Sequence, residues 1–232
     1  MKKIGLIGGM SWESTSTYYQ LINQGIKQAL GGLNSARIVL DSVNFCEIEQ
    51  DQRNGEWDRA ADKLITSARA LESAGADFFL ICTNTMHIVA ETVAAEVTIP
   101  LLHIADATAN KLVHDGKQTV GLLGTAFTME QPFYTQRLSE KYNLEVLTPE
   151  AVERKKVHAI IYHELCLGKI VPESKQIYLN IIDQLVEKGA QAIILGCTEI
   201  AMLIKQSDTG VPLYDTTRLH ADAAVIRAIN QE

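Results

Sequence analysis

The sequence predicts an α/β fold of two similar domains, each a parallel sheet flanked by helices, related by a pseudo-twofold axis with a functional site between them. Three observations predict it. Short apolar runs that end in glycine or threonine alternate with stretches whose apolar residues recur at helical spacing, the pattern of βαβ units. The opening run Ile4-Gly5-Leu6-Ile7-Gly8-Gly9 is echoed by Val120-Gly121-Leu122-Leu123-Gly124-Thr125, 116 residues later (120 minus 4). The ten residues Gly75 to Asn84 also lie on Gly189 to Thr198 without a gap.

Taken in order, Ile4 to Ile7 reads as a strand, Gly8-Gly9-Met10 as a tight turn, and Ser11 to Ser14 as a polar-capped helix start. The glycines do not match the dinucleotide pattern G-x-G-x-x-G, so the turn reads as a place where a ligand approaches backbone. Ile38 to Leu40 is a second strand. Asn44 to Asp58 has no apolar period and reads as a long, functional loop. Ala61, Leu64, Ile65, Ala68 and Leu71 mark a helix ending near Gly75, and Phe78 to Ile81 a strand running into Cys82-Thr83-Asn84-Thr85-Met86-His87. Pro100 to Ile104 reads as another strand, before a helix over 106–114. The order then restarts at Thr119, and Val211-Pro212-Leu213 echoes Ile99-Pro100-Leu101. The domains are therefore drawn as 1–114 plus 213–232, and 115–212.

Hydrophobic residues make up 47% of the 232, enough for a core in each domain, and the net charge of -7 has no concentrated basic face to suit nucleic acid. No apolar run approaches a membrane span, and nothing at the N-terminus has a signal peptide's pattern. Four cysteines at irregular spacing, with no CxxC pair, suggest reduced thiols in the cytoplasm and no metal. Small molecules are the expected partners.

Leu195-Gly196-Cys197-Thr198-Glu199-Ile200 is the stretch with the most chemistry. It sets a cysteine at a strand end, just ahead of an expected helix at Thr198 or Glu199, where backbone N–H groups lower a thiol pKa toward neutrality. In α/β sheets ligands gather at the carboxyl ends of strands. The gap-free repeat puts Thr83 in the place of Cys197, and Cys82 in the place of Gly196. Two strand ends, each with a proton donor or acceptor, suit inversion at a carbon. Asn84, Thr85, Thr198 and Glu199 would offer backbone N–H groups to a carboxylate, as would Thr125 and Thr128 from the second opening loop and Met10 from the first.

The pieces Ile4-Gly-Leu-Ile-Gly-Gly-Met10, Thr83-Asn84-Thr85-Met86-His87, Gly121-Leu-Leu-Gly-Thr125 and Gly196-Cys197-Thr198-Glu199 resemble the cofactor-independent aspartate/glutamate racemase family, in order and along nearly the whole chain. The resemblance implies a two-domain enzyme with one base per domain, no pyridoxal phosphate and a homodimer. It also implies a departure. The family's first motif reads Cys-Asn-Thr, and this chain has Thr83. Strand alternation turns Cys82 away from Thr83's side. A threonine hydroxyl is too weak an acid to act as a base unaided, so one-sided kinetics are expected. The resemblance, in which the second-domain cysteine works on the L form, implies that Cys197 accepts L substrates and that D substrates are poor.

His87 either polarises a neighbour or is a satisfied core histidine. Glu199 either orients the site, holds a substrate ammonium or is a helix-start carboxylate. The family's distal-carboxylate arginine falls on Gln52 or Arg53, and its lysine on Cys166, with Lys169 close by. Gln52 in that place would favour neutral side chains. Cys46 and Cys166 read as packing residues. The expected activity is racemisation of L-aspartate, L-glutamate or related amino acids with Thr83 and Cys197 catalytic. Alternatives are a broad-specificity racemase of neutral amino acids, maleate isomerase or arylmalonate decarboxylase chemistry in the same cleft, and a non-catalytic amino-acid-binding protein.

Overall fold

Both sheets are parallel throughout, as strands joined by helical crossovers must be. In the computed structural model, which describes residues 1–230, β1 (Ile4–Gly8) is buried along its length between β2 (Ile38–Ser42) and β3 (Phe78–Ile81). Between β1 and β2 runs α1 (Trp12–Leu30), capped by Ser11, whose hydroxyl accepts from the Ser14 amide at 3.3 Å. Between β2 and β3 run α2 (Phe45–Asn54) and α3 (Trp57–Ser73), and a 3-10 turn, Thr85–Val89, leads into α4 (Ala90–Ala94).

Alternation along the strands decides what each sheet face buries. Ile7, Phe79 and Ile81 pack with Ala61, Leu64, Ala68 and Leu71 of α3. Ile4, Leu6, Phe78, Leu80 and Cys82 pack on the other face with Tyr18, Ile22 and Ile26 of α1. Full burial of such side chains stabilises by ~1.5–3 kcal/mol each, so reversing the register of β3 would be very costly.

The second unit follows α5 (Ile104–His114) with β4 (Thr119–Gly124), α6 (Ala126–Glu130), α7 (Pro132–Tyr142), β5 (Glu145–Leu147), α8 (Ala151–His163) and α9 (Pro172–Glu187). It ends with β6 (Ile193–Gly196), α10 (Ile200–Leu203), β7 (Leu213–Asp215) and the start of α11 (Thr216–Ile229). Its sheet order is β5-β4-β6-β7, and the first is β2-β1-β3. Replacing β1, β2 and β3 by β4, β5 and β6 converts one order into the other, so the sequence repeat is a repeat of winding. A single bridge between Phe79 and Leu101 stands beside β3 as β7 stands beside β6.

The compact units are Met1–Ile104 with the chain from His220 onward, and Ala105–Leu219. The sequence places these junctions at 114/115 and 212/213. The difference arises because β7 pairs with β6 and because Asp106 of α5 receives both Nε and Nη2 of Arg137, at 2.6 and 2.8 Å. Two local expectations also change. The segment from Asn44 is helical, since Asn44 caps it and Gly55 closes it in the left-handed conformation, and capping rather than apolar period defines it. Pro100 to Ile104 forms only the Leu101 bridge, and Ile104 already belongs to α5.

Candidate active site

In the first unit, β1 and β3 are adjacent and end together, with Ile7 opposite Ile81. The turn after β1 needs Gly9: its φ is +91°, and a Cβ there would lie 2.1 Å from the Val43 carbonyl oxygen. The Gly9 amide donates to Thr15 Oγ1 at 2.7 Å, which leaves Met10 buried beside it. After β3, Cys82 continues the strand into the α1 face of the core, fully buried, and burial pushes its thiol well up. Thr83 is partly exposed at the next position, followed by buried Asn84 and Thr85.

His87 is not free to polarise a neighbour. Its Nδ1 lies 2.8 Å from the Thr83 carbonyl oxygen and its Nε2 accepts from the Ile104 amide at 3.2 Å. Gln52 is buried, with Nε2 donating to Met86 Sδ at 3.0 Å and Oε1 without a partner. Arg53 instead has a 68% exposed side chain 3.7 Å from Glu49, so it stays on the surface. The capping that makes α2 a helix settles which of the two turns inward.

In the second unit, Gly124 and Gly196 are register partners at the ends of β4 and β6. A Cβ on Gly196 would come within 2.9 Å of the Leu123 carbonyl oxygen and one on Gly124 within 3.1 Å of Thr128 Cβ, so side chains at these strand ends would crowd their neighbours. Thr125 and Cys197 follow these glycines. Thr125 caps α6, its Oγ1 accepting from the Thr128 amide at 3.3 Å and lying 3.2 Å from Thr128 Oγ1. His158 of α8 backs this turn, its Nδ1 accepting from the Ala126 amide at 3.1 Å, and burial holds its pKa below the ordinary value of 6.5.

The thiol of Cys197 donates to Glu199 Oε2 at 2.9 Å. Burial and then the Glu199 carboxylate push its pKa well up, with Cys166 adding to the effect. This reverses the sequence expectation of a lowered pKa. The helix that follows is only the four residues of α10, so its dipole is weak, and a carboxylate beside the sulfur outweighs it. Glu199, buried, caps no helix N–H and serves the sulfur instead. Thr198 Oγ1 lies 2.9 Å from Thr217 Oγ1. Cys166 is close enough to act electrostatically on Cys197, a relation its lone position in the sequence did not suggest, and Lys169 is exposed. Among the described residues no group of three or more His, Cys, Asp or Glu side chains is placed to hold a metal ion. No helix among them is long and apolar enough to cross a membrane.

The family model for Asp/Glu/hydantoin racemases matches residues 7–224. The chain belongs to that family. The racemase is 52% identical to a candidate Asp/Glu racemase of Yersinia pestis of solved structure, with a TM-score of 0.94 over 99% of this chain and 100% of that one. It is 35% identical to the aspartate racemase homologue of Pyrococcus horikoshii OT3, with a TM-score of 0.85 over 99% and 100%. The broad specificity amino-acid racemase RacX of Bacillus subtilis (strain 168) is 22% identical over 96% of each chain. The racemase is accordingly an isomerase with the α/β architecture of its relatives.

Proposed function

We propose that the racemase inverts L-aspartate, L-glutamate or related amino acids at Cα without pyridoxal phosphate, with Cys197 and Thr83 as its two proton-transfer positions. The observation that carries this reading is the thiol–carboxylate pair of Cys197 and Glu199, 2.9 Å apart at the end of β6. The thiol proton passes to Glu199, and the thiolate takes the Cα proton, forming an S–H bond and leaving a carbanion delocalised into the substrate carboxylate. Thr83, or a water it holds, delivers a proton to the other face and is reprotonated by solvent. Glu199 then loses its proton to solvent, Cys197 keeping the one it took. A thiol with a raised pKa gives few thiolates, but each is a stronger base, and a substrate ammonium offsets the Glu199 charge that opposes ionisation. Thr125, Thr128, Thr198, Asn84, Thr85, Met10 and Gln52 supply the binding groups.

Such an enzyme is kinetically one-sided, because a threonine hydroxyl is too weak an acid to serve as a base as readily as a thiol. Deuterium incorporation from solvent, measured separately from each enantiomer with Thr83→Cys as the comparison, tests it. Faster exchange from the L enantiomer is expected, narrowed in Thr83→Cys; equal exchange from both in the unmodified protein refutes it. A second reading, turnover of neutral amino acids, is favoured by Gln52, whose uncharged amide has an unpartnered Oε1. The broad specificity of the distant relative RacX agrees with it. Comparing L-aspartate with its uncharged analogues in the same assay separates the two. The reading also takes the enzyme as a cytoplasmic homodimer, for which sedimentation velocity and cell fractionation are the checks.

A further inference from the structure

The turn carrying Thr83 has no regular secondary structure to hold it, since β3 stops at Ile81 and the 3-10 turn starts at Thr85. The Cys82 amide donates to the Ile7 carbonyl at 2.9 Å; of the turn's carbonyls, that of Cys82 accepts from Ser14 Oγ at 3.2 Å and that of Asn84 from the His87 amide at 3.0 Å. Between these two lies the Thr83 carbonyl, and its partner is the His87 ring at 2.8 Å.

The hydrogen bonds assign the ring's tautomer. A carbonyl only accepts, so Nδ1 carries the proton; the Ile104 amide only donates, so Nε2 is bare. His87 is buried, and its ring meets that of His103 edge to face at 4.4 Å. Behind it His220 is fixed in turn, with Tyr18 Oη 2.8 Å from its Nδ1 and the Leu102 carbonyl 2.8 Å from its Nε2. The same carbonyl logic puts the His220 proton on Nε2, so Tyr18 donates to Nδ1. Both His87 nitrogens are thus engaged with backbone groups of the protein.

We propose that His87 is a positioning residue for the Thr83 side of the reaction: its Nδ1–H pins the Thr83 peptide, and Ile104 and His103 lock the ring that does so. The inference rests on the role given to Thr83 above. A group that must deliver a proton along a defined line is sensitive to small displacements, and a loosened turn costs about tenfold or more in that step alone. The Cys197 step, served by other residues, is spared.

The test uses the full-length enzyme with an L substrate in deuterated water. Two quantities are followed: deuterium washed into recovered L substrate, which needs Cys197 with Glu199 but not Thr83, and formation of the D enantiomer, which needs Thr83 as well. His87→Ala is expected to lower the ratio of inversion to wash-in about tenfold. His87→Asn, whose amide N–H falls near the place of Nδ1–H, restores the ratio; His87→Gln, which reaches toward the place of Nε2, does not. An equal loss of both quantities, or an unchanged ratio, overturns the inference, as does failure of Asn to restore it in a protein that melts normally. Thr83→Ala runs alongside: an unchanged ratio there sinks the role given to Thr83, whereas a lowered ratio there with an unchanged one in His87→Ala sinks only the inference about His87. If His87→Ala does not fold, nitrogen-15 spectra of the histidines in the unmodified enzyme decide, and a bare Nδ1 on His87 overturns the proposal.

Discussion

Replacing Glu199 by glutamine separates two effects that the carboxylate exerts on Cys197. It opposes ionisation of the thiol as a like charge, and it accepts the thiol proton. Two unit charges about 4 Å apart interact by ~1 kcal/mol in water and ~4 kcal/mol at the dielectric typical near a protein surface. The half-buried Cys197 lies between those limits. Removing the charge should therefore move the thiol's titration to lower pH, although burial, the larger cause, still holds it above the ordinary thiol range. The pH dependence of iodoacetamide alkylation, read on the peptide containing Cys197, measures it directly. Racemisation should nevertheless fall by ~10² or more, because the proton acceptor is gone and the thiolate is a weaker base. Alkylation that titrates at the same or a higher pH in Glu199→Gln, or racemisation at the unmodified rate, would refute the reasoning.

Three further outcomes are expected. Cys82→Ser sets a hydroxyl into the apolar core beside Tyr18 and Leu80, and should lower stability by ~1–3 kcal/mol in urea melts while racemisation per folded molecule is unchanged. His158 holds the Ala126 amide only when neutral, and burial lowers its pKa below 6.5 against the opposing charge of Glu130. The folded protein thus resists protonation where the unfolded chain accepts it, so this contribution is complete above pH 6.5 and is lost as pH falls through the folded value. Calorimetric titration with L-aspartate between about pH 5 and 8 should show affinity falling on the acid side, and His158→Asn, which keeps an acceptor, should flatten the fall. Gly9→Ala must place a methyl 2.1 Å from a backbone oxygen at positive φ, and should cost at least ~2 kcal/mol, read from the denaturation midpoint.

The winding of both sheets was legible because it depends on the alternation of apolar runs with amphipathic helices, which repeats from Ile4 to Cys82 and again from Val120 to Cys197. That residue 83 falls on the opposite side from Cys82 followed from the two-residue period of β3, which Cys82 obeys by entering the core beside Phe78 and Leu80. What the chain concealed depends on contacts distant in sequence or on short polar elements. Gln52 and Arg53 are adjacent, and only the helix that Asn44 caps sends one inward and the other out. The protonation of Cys197 was misread because a strand end ahead of a helix suggests a positive field, whereas α10 is one turn long and Glu199, two residues on, faces the sulfur. His158 gave no signal, since its partner Ala126 is 32 residues away.

The single-place offset between Cys82 and Thr83 has an evolutionary reading. Sulfur at 82 is a packing atom that the lineage can keep or replace according to the volume the core demands. Residue 83 is partly exposed and lies outside that cluster, so exchange between an alcohol and a thiol there asks little rearrangement of the interior. On the role proposed for Thr83, one exchange at that position would turn lopsided chemistry into symmetric chemistry, and the buried sulfur at 82 carries no information about which kind the enzyme is.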